Sequence, residues 1–248
     1  MNSFEVVALG VGDTFSERHH PTSLLLVAEN FHLAIDCPDM YRRVLKDASD
    51  KGAGTLNISD IDDVLLTHVH GDHMNGLEGF GFFKHFAEGK QTRLHTIPEV
   101  REGIWERRLQ ASMGQLWTGE RFREMAFEDY FDAHVLSWEG VNQIGPFEVE
   151  LRRTRHHVPT CALRVHFQNR ILGYSCDTAF DPDLIEWLSD ADLIIHETNL
   201  GPAHTLASDL AELPEALRRK MRLVHYPDFL DLDEVPIAAL REGNRLPV

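Results

Sequence analysis

The stretch Thr67-His68-Val69-His70-Gly71-Asp72-His73 places three imidazoles and a carboxylate within six residues, directly after the apolar run Val64-Leu65-Leu66. His68 and His70, two apart at a strand end, project to the same side because side chains alternate along a strand. Gly71 permits a sharp change of direction, after which Asp72 and His73 can face the same cavity. A lone histidine is best read as a surface residue, but this spacing argues for a shared ion. Imidazole nitrogen and carboxylate oxygen suit zinc, manganese or iron. Four such donors, with three more from elsewhere, would fill two open metal sites.

Composition narrows what such a site serves. The 248 residues include 40 acidic and 24 basic side chains, a net charge of −16, and 15 histidines. So acidic a chain repels phosphate backbones, which disfavours long nucleic acid as a substrate. Cys37, Cys161 and Cys176 form no paired motif and read as buried small residues of a reducing compartment. The N-terminal residues have no basic segment followed by an apolar one, and no apolar run approaches the roughly 20 residues that cross a bilayer. A cytoplasmic location without membrane contact is the expectation.

Along the chain, Phe4 to Leu9, Ser23 to Ala28 and Phe31 to Ile35 read as strands, the last two joined as a hairpin at Glu29-Asn30. Gly10-Val11-Gly12-Asp13-Thr14 is a small-residue loop that could approach a ligand or simply make a tight connection. His19 and His20 read as solvent-exposed. Met40 to Asp50 suggests a helix with Met40, Val44 and Ala48 on one face. Residues 77–138 read as a helical wall, with a helix from Pro98 through Met113 and the cluster Phe80, Phe82, Phe83 and Phe86 serving as core or as cover for a substrate. Beyond it, Phe147 to Leu151 alternates, Ala162 to Tyr174 forms a hairpin around Gln168-Asn169, and Asp181-Pro182 opens a helix through Leu188. A strand ends at His196-Glu197, a helix covers Leu206 to Arg219, and a strand runs into His225. The tail reads as a turn at 241–244 between two short strands. Strand and helix alternation points to one α/β domain over residues 1–248.

One event recurs: an apolar strand runs out and a histidine or aspartate follows, at His68, His156, Asp177 and His225. Strands lying side by side would deliver these residues to one edge. The sequence here resembles the metallo-β-lactamase superfamily, since His68-Val69-His70-Gly71-Asp72-His73 fits its HxHxDH motif completely. The resemblance implies a four-layer αββα metallo-β-lactamase sandwich. It also implies one divalent ion on His68, His70 and His156, a second on Asp72, His73 and His225, and Asp177 shared. Zinc is the first choice, with manganese and iron open. His157 adjoins His156, and a bulge in the strand would exchange them.

Within that superfamily, His156-His157-Val158-Pro159, His196-Glu197-Thr198 and His204-Thr205 are similar to segments of ribonuclease Z. Asp36-Cys37-Pro38-Asp39 with Tyr41 to Leu45 is similar to the phosphoribosyl cyclic phosphodiesterase branch. The resemblance implies that His204 handles the scissile phosphate; Asp72 and Glu197 are further catalytic candidates, although His196 and Glu197 also read as support for the ligand histidines. Only 177 − 156 = 21 positions separate His156 from Asp177, too few for the tRNA-gripping arm of ribonuclease Z. The function expected is therefore a binuclear phosphodiesterase cleaving a small or cyclic phosphate diester with water activated between two cations. A hydrolase of carboxylic esters, lactones or thioesters is the alternative. A tRNA 3′-processing nuclease and a non-catalytic metal-binding protein stand further off. The partner expected is a small phosphodiester, and a homodimer is open.

Overall fold

Runs such as Leu24-Leu25-Leu26 and Val64-Leu65-Leu66 lack polar alternation because both faces of their strands are covered. The computed structural model describes residues 3–248. Met1 and Asn2, where the reading of an absent leader begins, lie outside the described residues. The chain opens with β1 (Phe4–Gly10), β2 (Ser23–Ala28) and β3 (Phe31–Ile35), then α1 (Tyr41–Ala48) and β4 (Asp63–Leu66). Next come α2 (Gly71–Met74), α3 (Leu77–Phe83), β5 (Thr92–Thr96), α4 (Pro98–Ile104) and α5 (Gln110–Met113). The hairpin β6 (Gln115–Trp117) and β7 (Phe122–Glu124) precedes β8 (Phe131–Val135) and β9 (Asn142–Ile144). The second half has β10 (Phe147–Arg153), β11 (Cys161–Phe167), β12 (Arg170–Tyr174), α6 (Pro182–Leu188) and β13 (Leu193–Glu197). It closes with α7 (Ala207–Ala211), α8 (Glu215–Lys220), β14 (Met221–Val224) and β15 (Arg245–Pro247).

The strands form a seven-stranded sheet, β15-β1-β2-β3-β4-β5-β8, and a six-stranded sheet, β14-β13-β12-β11-β10-β9. Apolar inner faces press the sheets together. Phe4 and Phe31 of the first sheet meet Phe147 of the second at ring separations of 5.2 and 5.9 Å, and Phe4 also meets Phe167 at 6.0 Å. Helices cover the outer faces: α1 lies on the first sheet, and Leu188 of α6 lies over Gly173 of β12. The four-layer αββα sandwich is thus observed. Asp181 caps α6 by accepting from the Asp183 amide at 3.1 Å, with Pro182 in the first turn. Among the described residues no helix is long and apolar enough to cross a membrane.

Several expectations need correction. Residues 77–138 carry α3 to α5, but also β5 and β8, which pair in parallel and complete the first sheet. Thr92 to Thr96 reads as polar because Arg93 and His95 on one face pair with Asp63, while the other face buries Thr92 and Thr96 on either side of Leu94. Phe80 is buried in the core, while Phe86 stands 62% exposed with its ring 5.6 Å from that of Phe82. Met40 is not on the buried face of α1. It takes a left-handed conformation ahead of the helix, so its side chain points to solvent, 62% exposed. The helix expected over 206–219 is two, α7 and α8, because Pro214 has no amide hydrogen to continue the first. In the tail only residues 245–247 form a strand, on β1, while Ala239 makes a single bridge to Leu223. His20 is half-buried against Asp47 at 2.9 Å, and His19 packs edge-on against Tyr226.

At the start of β4, the almost fully buried Asp63 accepts from Arg93 Nε of β5 at 2.9 Å and lies 2.9 Å from His95 Nε2. Burial raises its proton affinity, but bonds from His95 and Arg93 outweigh this and hold it below its ordinary value of 3.8. A depressed carboxyl contributes stability that is present above its unfolded pKa and lost as pH falls through the folded one. Asp63→Asn should therefore lower unfolding free energy by about 1–3 kcal/mol at pH 7. Urea titrations should show the gap from wild type closing as pH is taken below 3.8.

Candidate metal centre

Parallel strands end on the same side, so β3, β4, β12, β13 and β14 hand their following residues to one edge of the sandwich. β4 delivers His68 and His70, and the short α2 turns Asp72 and His73 back toward them. β12 leads to Asp177, β14 to His225, and the loop after β10 to His156. His68 Nε2 and His156 Nε2 lie 3.2 and 3.1 Å from His70 Nδ1, and 3.8 and 3.6 Å from Asp177 Oδ2. On the other side, His73 Nε2 stands 3.5 Å from both Asp72 Oδ2 and Asp177 Oδ1. His225 Nε2 is 3.4 Å from Asp72 Oδ2 and 3.5 Å from Asp177 Oδ2. Two donor groups thus share Asp177.

These separations suit divalent cations. Donors about 2.0–2.1 Å from a tetrahedral ion stand roughly 3.3 Å from one another, which is the spacing found. His73 Nε2 and Asp177 Oδ1 are buried without a hydrogen-bond partner, an expensive condition unless something occupies the space between them. Cys176 also comes close, 3.8 Å from His68, but on the Nδ1 side. Burial holds its thiol well above its usual range, so it behaves as a small buried residue there.

Four of the five imidazoles are aimed by the far nitrogen. Asp36 Oδ2 lies 2.8 Å from His73 Nδ1, Thr67 Oγ1 lies 3.0 Å from His68 Nδ1, and the Ala203 carbonyl lies 3.0 Å from His156 Nδ1. Asn199 Nδ2 sits 3.5 Å from His225 Nδ1. The turns that aim these groups are strained. Asp36, Cys176 and His225, each just after a strand, have φ of 63°, 49° and 58°, the left-handed region that costs a non-glycine residue about 1–2 kcal/mol.

Charge follows the same plan. Burial drives His156 down to about 4, so it is neutral with a free lone pair. Burial would likewise lower His73, but the carboxylates of Asp177 and Asp36 on either side raise it well above its ordinary value. Asp177 goes the other way: burial raises it, and His225 and His73 together hold it well below the usual carboxylate range. Glu197, buried and near the Asp177 charge, is held well above that range. Its Oε1 accepts from the Thr178 amide at 2.8 Å and lies 3.0 Å from His204 Nδ1.

All seven residues nominated from the sequence as metal ligands thus come together. His156 joins the cluster and His157 stands exposed at its rim. His204 stacks on His225 at 5.4 Å and faces the same cleft, of about 370 Å³. His196 turns away, its Nδ1 on the Glu197 carbonyl at 2.7 Å. Sequence reasoning missed the roles of Asp36 and Asn199. The only signal for Asp36 was a carboxylate directly after an apolar strand, the same event that marks His68 and Asp177.

A two-sheet sandwich with this His/Asp cluster at its edge defines a metallo-β-lactamase-fold hydrolase. YhfI of Bacillus subtilis, a metallo-β-lactamase fold protein, superimposes with a TM-score of 0.79 over 99% of this chain and 100% of its own, at 16% identity. The chain belongs to the Anti-Pycsar protein Apyc1 family, whose model matches residues 4–238. The Anti-Pycsar protein Apyc1 of Paenibacillus sp. (strain J14) is 30% identical across 90% of this chain and 89% of that protein. A Dictyostelium discoideum relative named cAMP/cGMP-dependent 3′,5′-cAMP/cGMP phosphodiesterase B is 25% identical across 91% of this chain and 21% of its own length. The expectation of a hydrolase acting on a small phosphate diester agrees with this kinship.

Asp36→Asn keeps the shape of the clamp on His73 but removes its charge. Cation affinity, measured by competition with a chromogenic chelator, should fall about 10–100-fold while the far-ultraviolet dichroism stays that of the wild type.

Proposed function

We propose that this chain hydrolyses nucleoside 3′,5′-cyclic phosphates to nucleoside monophosphates, with two divalent cations, zinc by preference, held at the cluster. His68, His70 and His156 would hold one, Asp72, His73 and His225 the other, and Asp177 both. The observation that carries this reading is the likeness over nine-tenths of the chain to a relative named for cyclic-nucleotide hydrolysis. Such cations neutralise charge on the attacked phosphoryl group and bring the pKa of water near 7.

The remaining work falls to the chain's own residues. His204 lines the cleft with its Nδ1 held by Glu197, which leaves Nε2 free to serve a leaving oxygen. Burial and the Asp177 charge hold the Glu197 carboxyl behind His204 well above its ordinary range, and a positioned proton donor is what an alkoxide leaving group requires. The hairpin of β11 and β12 fills the interval between His156 and Asp177, so no arm projects there to grip a longer nucleic acid.

Protein reconstituted with zinc or manganese should convert cyclic AMP and cyclic GMP to monophosphates, followed by phosphorus NMR. His204→Ala should lower kcat about 10²–10⁴-fold with cation content unchanged. Asp177→Ala should lose both activity and cation. Cleavage of esters or lactones without turnover of any cyclic nucleotide would refute the proposal, and a drop in cation content in the His204 variant would make His204 a ligand rather than the acid.

A further inference from the structure

The cleft over the cluster is polar except at its lip. Of the side chains around it, Phe15 and Leu200 are the large apolar ones, and both stand in solvent, 85% and 58% exposed. Exposed singly, such residues need no explanation. These two are different because the backbone beneath them is anchored with unusual care. Asp13, 4% exposed, accepts from the Phe15 amide at 3.0 Å through one oxygen and from Asn199 Nδ2 at 3.1 Å through the other. Asn199 Oδ1 in turn accepts from the Leu200 amide at 2.7 Å. One buried carboxylate thus holds both apolar residues and, through Asn199, the neighbourhood of His225.

The loop has further restraints. Gly12 donates to the His20 carbonyl and accepts from the Thr22 amide, both at 3.0 Å, and Ser16 Oγ bonds Asp228 at 2.5 Å. At Gly10 the Pro21 carbonyl passes 2.0 Å from where a β-carbon would stand, so only glycine allows the closure. Glycines 10 and 12 thus make a tight loop, and its tip, Thr14-Phe15, is what reaches the cleft.

We propose that Phe15, with Leu200 beside it, is the platform on which the substrate's nucleobase stacks. This rests on the cyclic-nucleotide reading above. The phosphate of such a substrate goes to the His/Asp cluster, leaving a flat, largely apolar ring system to be placed at the lip. An aromatic ring carried on an anchored backbone receives it at a smaller ordering cost than one on a free loop. Every base has a π-face, so stacking tolerates all of them, and Asn199, the amide nearest the platform, is committed to Asp13 and Leu200. Recognition at this position is therefore by stacking, and selectivity among bases is shallow.

The test compares cyclic AMP with ribose 3′,5′-cyclic phosphate, which lacks the base, on wild-type, Phe15→Ala and Phe15→Trp proteins of measured cation content. Phe15→Ala should raise KM for cyclic AMP about tenfold, with kcat within about twofold, and Phe15→Trp should restore it. The base-free substrate should show no such KM change. An unchanged KM for cyclic AMP in Phe15→Ala, or an equal rise for both substrates, would overturn the platform while leaving the hydrolytic reading intact. Failure of the wild-type protein to cleave either substrate would overturn the hydrolytic reading, and the platform with it.

Discussion

A single buried carboxylate ties the architecture to the site. Asp36 follows β3 with no exposure to solvent, and accepts from the Thr67 amide at 2.8 Å and from its hydroxyl at 2.9 Å while pairing with His73 Nδ1. Thr67 is the first residue after β4. One side chain therefore locks the ends of two parallel strands together and orients a metal-directed imidazole beyond them. The Cys37 amide bonding the His73 carbonyl at 2.7 Å closes the loop from the other side. A charged group at that depth is tolerable only with every lone pair engaged, which makes the position exacting about its occupant.

The rest of the site depends on this arrangement being repeated. β12, β13 and β14 run parallel in the second sheet as β3, β4 and β5 do in the first, so one edge of the sandwich collects Asp177, Glu197 and His225 opposite the residues after β4. Parallel strands are buried on both faces, and their ends are where side chains first meet a cavity. The left-handed turns at Asp36, Cys176 and His225 aim those side chains, and the burial behind them makes the strain affordable.

How legible this was differs from residue to residue. His68, His70, Asp72 and His73 are readable because their relation is local and obeys strand alternation. His156, Asp177 and His225 are readable as a recurrence at strand ends, but their convergence is tertiary. The resemblance already favoured His156 over His157, and the turn after β10 that places it there is one no periodicity reveals. Asp36 and Asn199 were obscure because a residue that only orients another carries no motif. β5 was missed because its Arg93 and His95 face buried Asp63, so a core strand reads as a polar segment. Met40 failed for a conformational reason, since it looks like the first turn of a helix and is instead the left-handed residue before it.

Electrostatics then decides which interactions can recognise a substrate. A chain of charge −16 repels an anionic phosphodiester at long range, but at physiological salt that repulsion is screened within about 8 Å. Inside that distance the local balance is set by the cluster, five histidines and two aspartates, and cations held there make it attractive to phosphate. Attraction of this kind is centred on the phosphoryl group and indifferent to what is attached to it. Any preference for a nucleotide over another phosphate diester must therefore come from short-range contact beyond the cluster. The apolar lip at Phe15 and Leu200, its backbone amides held by Asp13 and Asn199, is suited to supply it, because stacking gains nothing from charge and is unaffected by the acidic surface around it.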